Sequence, residues 1–318
     1  MRITAVATAA LLQTVLAAPL DRRDNAKVTV SDSQFSQLVR WSKFASAALA
    51  TGCNTIYGAT KIIDINDTMT DTQGYVARDD TNKQIIVALR GTSSIPDVLT
   101  DAATTLVSCT GAGIPYPTDA LCHTGFMNSY NSISAQVLST VKGQVASHPK
   151  YSIIVTGHSL GGGLASFAAL SMLYNFPQTA TTAYSFGQPR TGDKKYAAFH
   201  DKSFPNTSGP GTFFRGVHTT DGVPQVIHQG SDGDVVLTGA GLFLPLNNPA
   251  ATSGYWHHGK EVWQFQEPAT AADTVQCAGE ENSSCQDSAY IFSPLFGINA
   301  EHLTYFGVNM INTSCPAS

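Results

Sequence analysis

The chain reads as an α/β protein with a mainly parallel central sheet flanked by helices. Two observations predict this. Short strand-like runs alternate with helix-like segments from Ser33 to Val217. One run, Tyr151-Ser152-Ile153-Ile154-Val155-Thr156, passes through Gly157-His158-Ser159-Leu160-Gly161 straight into a helix of small and apolar residues. A third observation fixes the organisation: no internal repeat, charge block or low-complexity linker divides the 318 residues, so one domain is expected over 24–318.

The elements follow in order. Ser33 to Ala50 has a capping-type start and an apolar face of Phe35, Leu38, Val39, Phe44 and Leu49, so it is read as a helix. Residues 74–78 and 84–89 read as strands of a hairpin turned by Asp79-Asp80-Thr81-Asn82. Phe126 to Ala146 reads as a long helix. After the 151–156 strand and the helix from Gly162, strands are expected at 181–186, 212–217 and 261–263. Beyond Val262 the pattern is too weak to assign elements.

The start of the chain lies outside the fold. Met1-Arg2 is a short basic head, Ile3 to Leu16 is apolar but too short to span a bilayer, and Val15-Leu16-Ala17 offers small residues for cleavage. Residues 1–17 are therefore read as a secretory signal peptide. Residues 18–23 are read as a short propeptide ending at the dibasic Arg22-Arg23. Six cysteines (Cys53, Cys109, Cys122, Cys277, Cys285 and Cys315) suit three disulfides in an exported chain, and spacing alone leaves 15 pairings open. No spacing resembles a zinc site. Sequons at Asn66, Asn206, Asn282 and Asn312 fit surface glycosylation. The whole chain carries −5; Arg2, Arg22 and Arg23 against Asp21 give residues 1–23 a net +2, leaving −7. That balance disfavours nucleic-acid binding. With 13% charged and 42% hydrophobic residues, a neutral or apolar ligand is compatible.

Strand, sharp turn with serine between glycines, then helix is the context of a nucleophile elbow. The serine needs a strained backbone that exposes its hydroxyl, and side chains at the flanking glycines would clash with helix and strand. The helix N-terminus behind it favours developing negative charge. A serine nucleophile needs a base, and the base an orienting acid. Asp221 stands just after the 212–217 strand, with Asp193 and Asp201 as rivals. The base candidates are His228, His257, His258 and His302. Chain order alone does not choose among them.

Several motifs together resemble the secreted fungal class 3 lipases, a family that includes feruloyl esterases and phospholipases A1. These are Gly157–Gly162, Tyr184–Gly192, His218-Thr219-Thr220-Asp221-Gly222-Val223-Pro224, Glu301-His302-Leu303-Thr304-Tyr305-Phe306 and Arg90-Gly91-Thr92-Ser93-Ser94; Ser33 to Cys53 resembles the family's first helix. The resemblance implies an α/β-hydrolase fold with Ser159, Asp221 and His302 as triad, Thr92 and Leu160 as oxyanion donors, and His257 and His258 as structural. It implies disulfides Cys53–Cys315, Cys109–Cys122 and Cys277–Cys285. Ser94-Ile95-Pro96-Asp97 has a helix-start pattern, and Ile95, Val98 and Leu99 share an apolar face, which resembles the family's lid. Val98 stands where these lipases often have Trp, which weakens the apolar anchor. Leu242–Leu246 is read as core rather than acyl groove.

The activity implied is cleavage of acylglycerol esters at a lipid–water interface by a secreted monomer, without metal, organic cofactor, nucleic acid or obligate protein partner. Soluble-ester esterase or phospholipase A1 activity on the same scaffold is the alternative. A degenerate hydrolase that only binds its ligand is the distant one.

Overall fold

The computed structural model describes residues 27–91, 105–225, 235–237, 243–245, 254–279, 281–289 and 299–316. The signal and propeptide readings, Thr92, the 94–103 lid segment and His228 lie outside them.

Ten strands form one sheet: β1 Lys27–Thr29, β2 Thr55–Ile56, β3 Ala59–Asp67, β4 Thr72–Asp79, β5 Gln84–Leu89, β6 Ser152–His158, β7 Thr181–Phe186, β8 Phe213–His218, β9 Lys260–Gln264 and β10 Thr274–Cys277. Their spatial order is β1-β10-β9-β8-β7-β6-β5-β4-β3-β2. The centre, β5 to β9, is parallel throughout. Both flanks are antiparallel, made by the β2-β3-β4-β5 meander on one side and β9-β10-β1 on the other. The sheet is thus mixed, and the parallel order expected from the sequence describes its centre. The difference has a local cause. Parallel neighbours need a crossover, whereas the short links within the β2-β3-β4-β5 meander and between β9 and β10 reverse the chain; β1 alone joins its partner from far along the sequence.

Among the described residues four α-helices pack around the sheet: α1 Asp32–Ser46, α2 Thr124–Ser147, α3 Leu160–Asn175 and α4 Lys194–Ser203. α1 starts at an N-cap in which Ser31 accepts from the Gln34 N–H, and α2 starts where the His123 ring accepts from the Phe126 N–H. Alternation along β5 and β6 divides the core. Ile85, Val87, Leu89, Ile153 and Val155 meet α2 and α3 through Phe126, Tyr130, Val137, Leu164 and Phe167. Ile86, Ala88 and Ile154 face the other way, onto Leu38, Trp41 and Phe44 of α1. Strands apolar on both faces are what a sheet between two helical layers requires.

The three disulfides join Cys53 to Cys315, Cys109 to Cys122 and Cys277 to Cys285. The first ties the segment after α1 to the C-terminal strand of chain. The loop closed by the second takes positive φ at Gly111, Ala112 and Gly113. It is pinned to the helices, Ala112 O accepting from Ser171 Oγ at 2.9 Å and Asn175 Nδ2 at 3.0 Å, and Thr110 O accepting from Asn131 Nδ2. Asn66, Asn206 and Asn312 are exposed, as their sequons suggest. Asn282 is a correction: it is 3% exposed, and the Nδ2 that a glycan would occupy donates to Ala278 O at 2.7 Å. Residues 243–245 pair with 235–237 as a two-strand ribbon.

Four histidines are buried as neutral rings. Burial pushes His200 down to about 3 and His123 down to about 4. Burial also lowers His158, with His302 beside it, and His258, with His200, His257 and Arg215 beside it. The rings of His200 and His258 lie 3.9 Å apart by centroid. Unfolded histidine takes up a proton below about pH 6.5, and the folded sites refuse it. Their contribution is therefore intact above that pH and is lost as pH falls from it towards the depressed folded values. Each such site removes about 1.4 kcal/mol per pH unit in that window. The unfolding temperature is expected to fall steeply between about pH 6.5 and 4.5; a thermal-melt series that stays level there would contradict the assignment.

Candidate active site

The site gathers at the carboxyl ends of three neighbouring parallel strands, where an open α/β sheet offers a crevice. Ser159 follows β6, Gly187 follows β7, and Asp221 lies three residues past β8. His302 arrives from the far end of the chain in a single 3-10 turn, Ala300–Leu303.

Ser159 alone makes the turn from β6 to α3. Its backbone sits at φ 59°, ψ −126°, a region that costs a non-glycine residue about 1–3 kcal/mol. The strain is held by packing and hydrogen bonds. The Ser159 N–H donates to Phe186 O at 2.9 Å, and its carbonyl accepts from the Gly163 N–H at 3.1 Å. A Cβ at Gly157 would lie 2.1 Å from Gly161 O, and one at Gly161 would lie 2.2 Å from Leu89 O. Neither position tolerates a side chain. The end of β5 also presses on the serine: a Cβ at Gly91 would be 3.0 Å from His158 O and 3.4 Å from Ser159 Cβ. That contact brings the chain leading to Thr92 beside the nucleophile. Leu160 is the first residue of α3, where the leading N–H groups have no partner within the helix.

Asp221 is fully buried and both of its carboxylate oxygens accept hydrogen bonds. Oδ1 accepts from the Val223 N–H at 2.9 Å; Oδ2 accepts from His302 Nδ1 at 2.8 Å and from the Tyr305 hydroxyl. A carboxylate only accepts, so the His302 proton is on Nδ1 and Nε2 carries the lone pair. Nε2 is buried and has no hydrogen-bond partner among the described residues. Burial, reinforced by the Asp221 charge, holds the Tyr305 phenol well above its ordinary range, so it stays a donor. The imidazole stands over Gly187, where a Cβ would come within 2.8 Å of its Cε1.

The loop bearing Asp221 is fixed through its carbonyls, by side chains drawn from distant parts of the sequence. Trp263 Nε1 donates to Thr219 O, Asn299 Nδ2 to Thr220 O, Gln286 Nε2 to Asp221 O, and Arg190 and His257 to Pro224 O. These donors are anchored in turn. Arg190 pairs bidentately with Glu281, at 2.9 and 2.7 Å. The Gln286 N–H donates to Glu261, which is ion-paired with Arg215 at 3.0 Å. Glu261, Cys277 and Cys285 form the one grouping of His, Cys, Asp or Glu with metal-ligand proximity among the described residues, and the disulfide occupies both sulfurs.

The structure thus brings together Ser159, Asp221, His302 and Leu160. It separates the rivals. Asp193 caps α4 by accepting from the Tyr196 N–H, and Asp201 accepts from the Gly259 N–H. His257 holds Pro224 O and His258 is buried beside His200 and Gln188, so both are structural. Tyr305, Gln286, Asn299 and Trp263 escaped the sequence reading. Of these, Tyr305 alone carried a local signal, three residues after His302 in the same motif.

The sequence profile of the class 3 lipases, "Lipase (class 3)", matches residues 86–230. The chain belongs to the class 3 lipase family. A secreted alkaline triacylglycerol lipase of Penicillium cyclopium is 28% identical over 96% of this chain and 94% of its own. A Rhizomucor miehei lipase is 32% identical over 75% of this chain and 56% of its own. The crystal structure of a triacylglycerol lipase from Penicillium expansum superposes with a TM-score of 0.74 at 28% identity, covering 91% of this chain and 99% of that one. These neighbours have the α/β-hydrolase fold, as does this chain.

Tyr305→Phe removes one donor from Asp221 and keeps the ring. Losing one hydrogen bond of about 1–1.5 kcal/mol should lower ester turnover roughly tenfold with the fold retained. Unchanged turnover in a steady-state assay would mean that His302 alone orients the acid.

Proposed function

We propose that this chain is a secreted triacylglycerol lipase that works through Ser159, His302 and Asp221 by an acyl-enzyme. One observation carries the reading: a strained serine at a strand–helix elbow directly follows His158, whose ring packs 4.5 Å from that of a buried histidine, His302, whose Nδ1 is committed to a buried aspartate. The full-length similarity to a triacylglycerol lipase of Penicillium cyclopium supports the substrate class.

The chemistry follows from the proton positions. His302 Nε2 takes the Ser159 proton as Oγ attacks the ester carbonyl. Asp221 holds the tautomer and stabilises the imidazolium, with Tyr305 sharing the carboxylate. The oxyanion is met by the Leu160 N–H at the head of α3 and, as the family resemblance implies, by Thr92; a lost donor typically costs about 3–4 kcal/mol. The imidazolium then protonates the departing glycerol oxygen. A water molecule activated by His302 releases the fatty acid.

Ile95, Val98 and Leu99 form the apolar face of a lid that opens on lipid, so the substrate is met at the interface by a monomer. The mature chain starts after a signal peptide at 1–17 and a propeptide at 18–23, and it carries glycans at Asn66, Asn206 and Asn312.

Ser159→Ala, Asp221→Ala and His302→Ala should each cut tributyrin turnover by at least about a thousandfold in folded protein; near-normal turnover in one removes that residue from the triad. On substrate, the rate on tributyrin and trioctanoin should jump above their solubility limits while methyl ferulate is barely turned over. Saturation below the limit with strong ferulate turnover would make this a soluble-ester esterase with a fixed wall at 94–103.

A further inference from the structure

Two histidines outside the triad grip the turn that carries His302. His158 is the last residue of β6, next to Ser159, and His218 is the last residue of β8, three residues before Asp221. Both are buried. His158 Nε2 lies 2.8 Å from the carbonyl of His302, and His218 Nδ1 lies 2.8 Å from the carbonyl of Glu301. A carbonyl can only accept, so each ring must donate, one through Nε2 and the other through Nδ1. The remaining nitrogen of His218 is 2.8 Å from Glu267 Oε1, a contact that is not aligned as a hydrogen bond. The two rings stand edge-on to Tyr305, each with a centroid distance of 5.7 Å, and His158 also lies 4.5 Å from the His302 ring. The turn itself is short. Its backbone bonds include His302 N–H to Asn299 O, Thr304 N–H to Glu301 O and Met310 N–H to Leu303 O. A catalytic imidazole must be held within about 0.5 Å of its productive place, and one such turn does not do that alone.

We propose that His158 and His218 are positioning residues, paired clamps on two consecutive carbonyls that fix His302 between the nucleophile strand and the acid strand. This rests on the triad proposed above. Each clamp starts from the strand end that delivers one of the other two members. Any shift of β6 or β8 therefore carries the base with it, and the three groups keep register. The two rings act through different nitrogens, which separates clamping from simple filling of space.

Asparagine places an amide donor near the Nδ1 position of histidine, and glutamine near the Nε2 position. His158→Gln and His218→Asn should therefore keep kcat for p-nitrophenyl butyrate, below its solubility limit, within about threefold of the parent. His158→Asn and His218→Gln should lose about tenfold or more in kcat at unchanged KM, because a misplaced base lowers the rate without touching substrate affinity. Equal effects of Asn and Gln at either position, or full kcat in a mismatched variant, would overturn the proposal. His302→Ala is assayed alongside. If it stays active, the triad reading fails; if it is inactive while the clamp variants are indifferent, only the clamps fail. Should a variant not fold, ¹⁵N NMR of the histidine-labelled parent decides: His158 must carry its proton on Nε2 and His218 must carry one on Nδ1. A bare nitrogen at either place refutes the clamp.

Discussion

The backbone of Ser159 is the constraint on which the rest depends. A serine at φ 59°, ψ −126° persists only if its surroundings leave it no alternative. Those surroundings reach across the fold. Gly157 and Gly161 permit a carbonyl approach that any side chain would block, and Leu89 O of β5 is one of the groups approached. The Ser159 N–H is tied to β7 through Phe186 O. The elbow therefore exists because β5, β6 and β7 are parallel neighbours with their carboxyl ends level, and because α3 packs tightly behind them. The strand order of the sheet centre and the exposure of one hydroxyl are the same fact seen at two scales.

The acid and base are positioned by a different device. Asp221 lies in a loop and His302 in a single 3-10 turn, and both are buried, where an unpaired polar group is costly. The structure answers by giving the carbonyls of the two loops side-chain donors from elsewhere: Trp263, Asn299, Gln286, Arg190 and His257 on the acid loop, His158 and His218 on the base turn. The buried pairs Arg190–Glu281 and Arg215–Glu261 serve this arrangement rather than the core at large. Such pairs contribute little net stability, but they hold donors in one geometry. A loop held by its backbone can keep Asp221 and His302 in contact without the side chains themselves being distorted.

Much of this was legible in the sequence, for local reasons. The helix at Asp32–Ser46 shows in its apolar face, and the β4–β5 hairpin and the β6–α3 elbow show because alternation and turn residues lie within a few positions. The mainly parallel order holds at the sheet centre; the pairing of the edge strand β1 with β10 is not legible locally, because it is decided over some 250 residues of separation. Asn282 matched a sequon by composition, while its burial depends on packing near the Cys277–Cys285 bridge. The positions of Asp221 and His302 needed the family resemblance. From the residues alone Asp221 is the best placed acid, with Asp193 and Asp201 as rivals, while order does not choose among the histidines; the structure shows that Asp193, Asp201, His257 and His258 are committed elsewhere. The clamps were least legible of all, since His158 and His302 are 144 residues apart and His218 and Glu301 are 83 apart.

The central claim is that Ser159, activated by His302, is the nucleophile. It is tested most directly by reacting the folded protein with a p-nitrophenyl alkylphosphonate and mapping the adduct by peptide mass spectrometry. The account predicts one phosphonyl group per chain, on the peptide containing Ser159, appearing in step with loss of esterase activity and absent from His302→Ala. Activity lost with the adduct on another residue, or activity retained with Ser159 fully labelled, would contradict it.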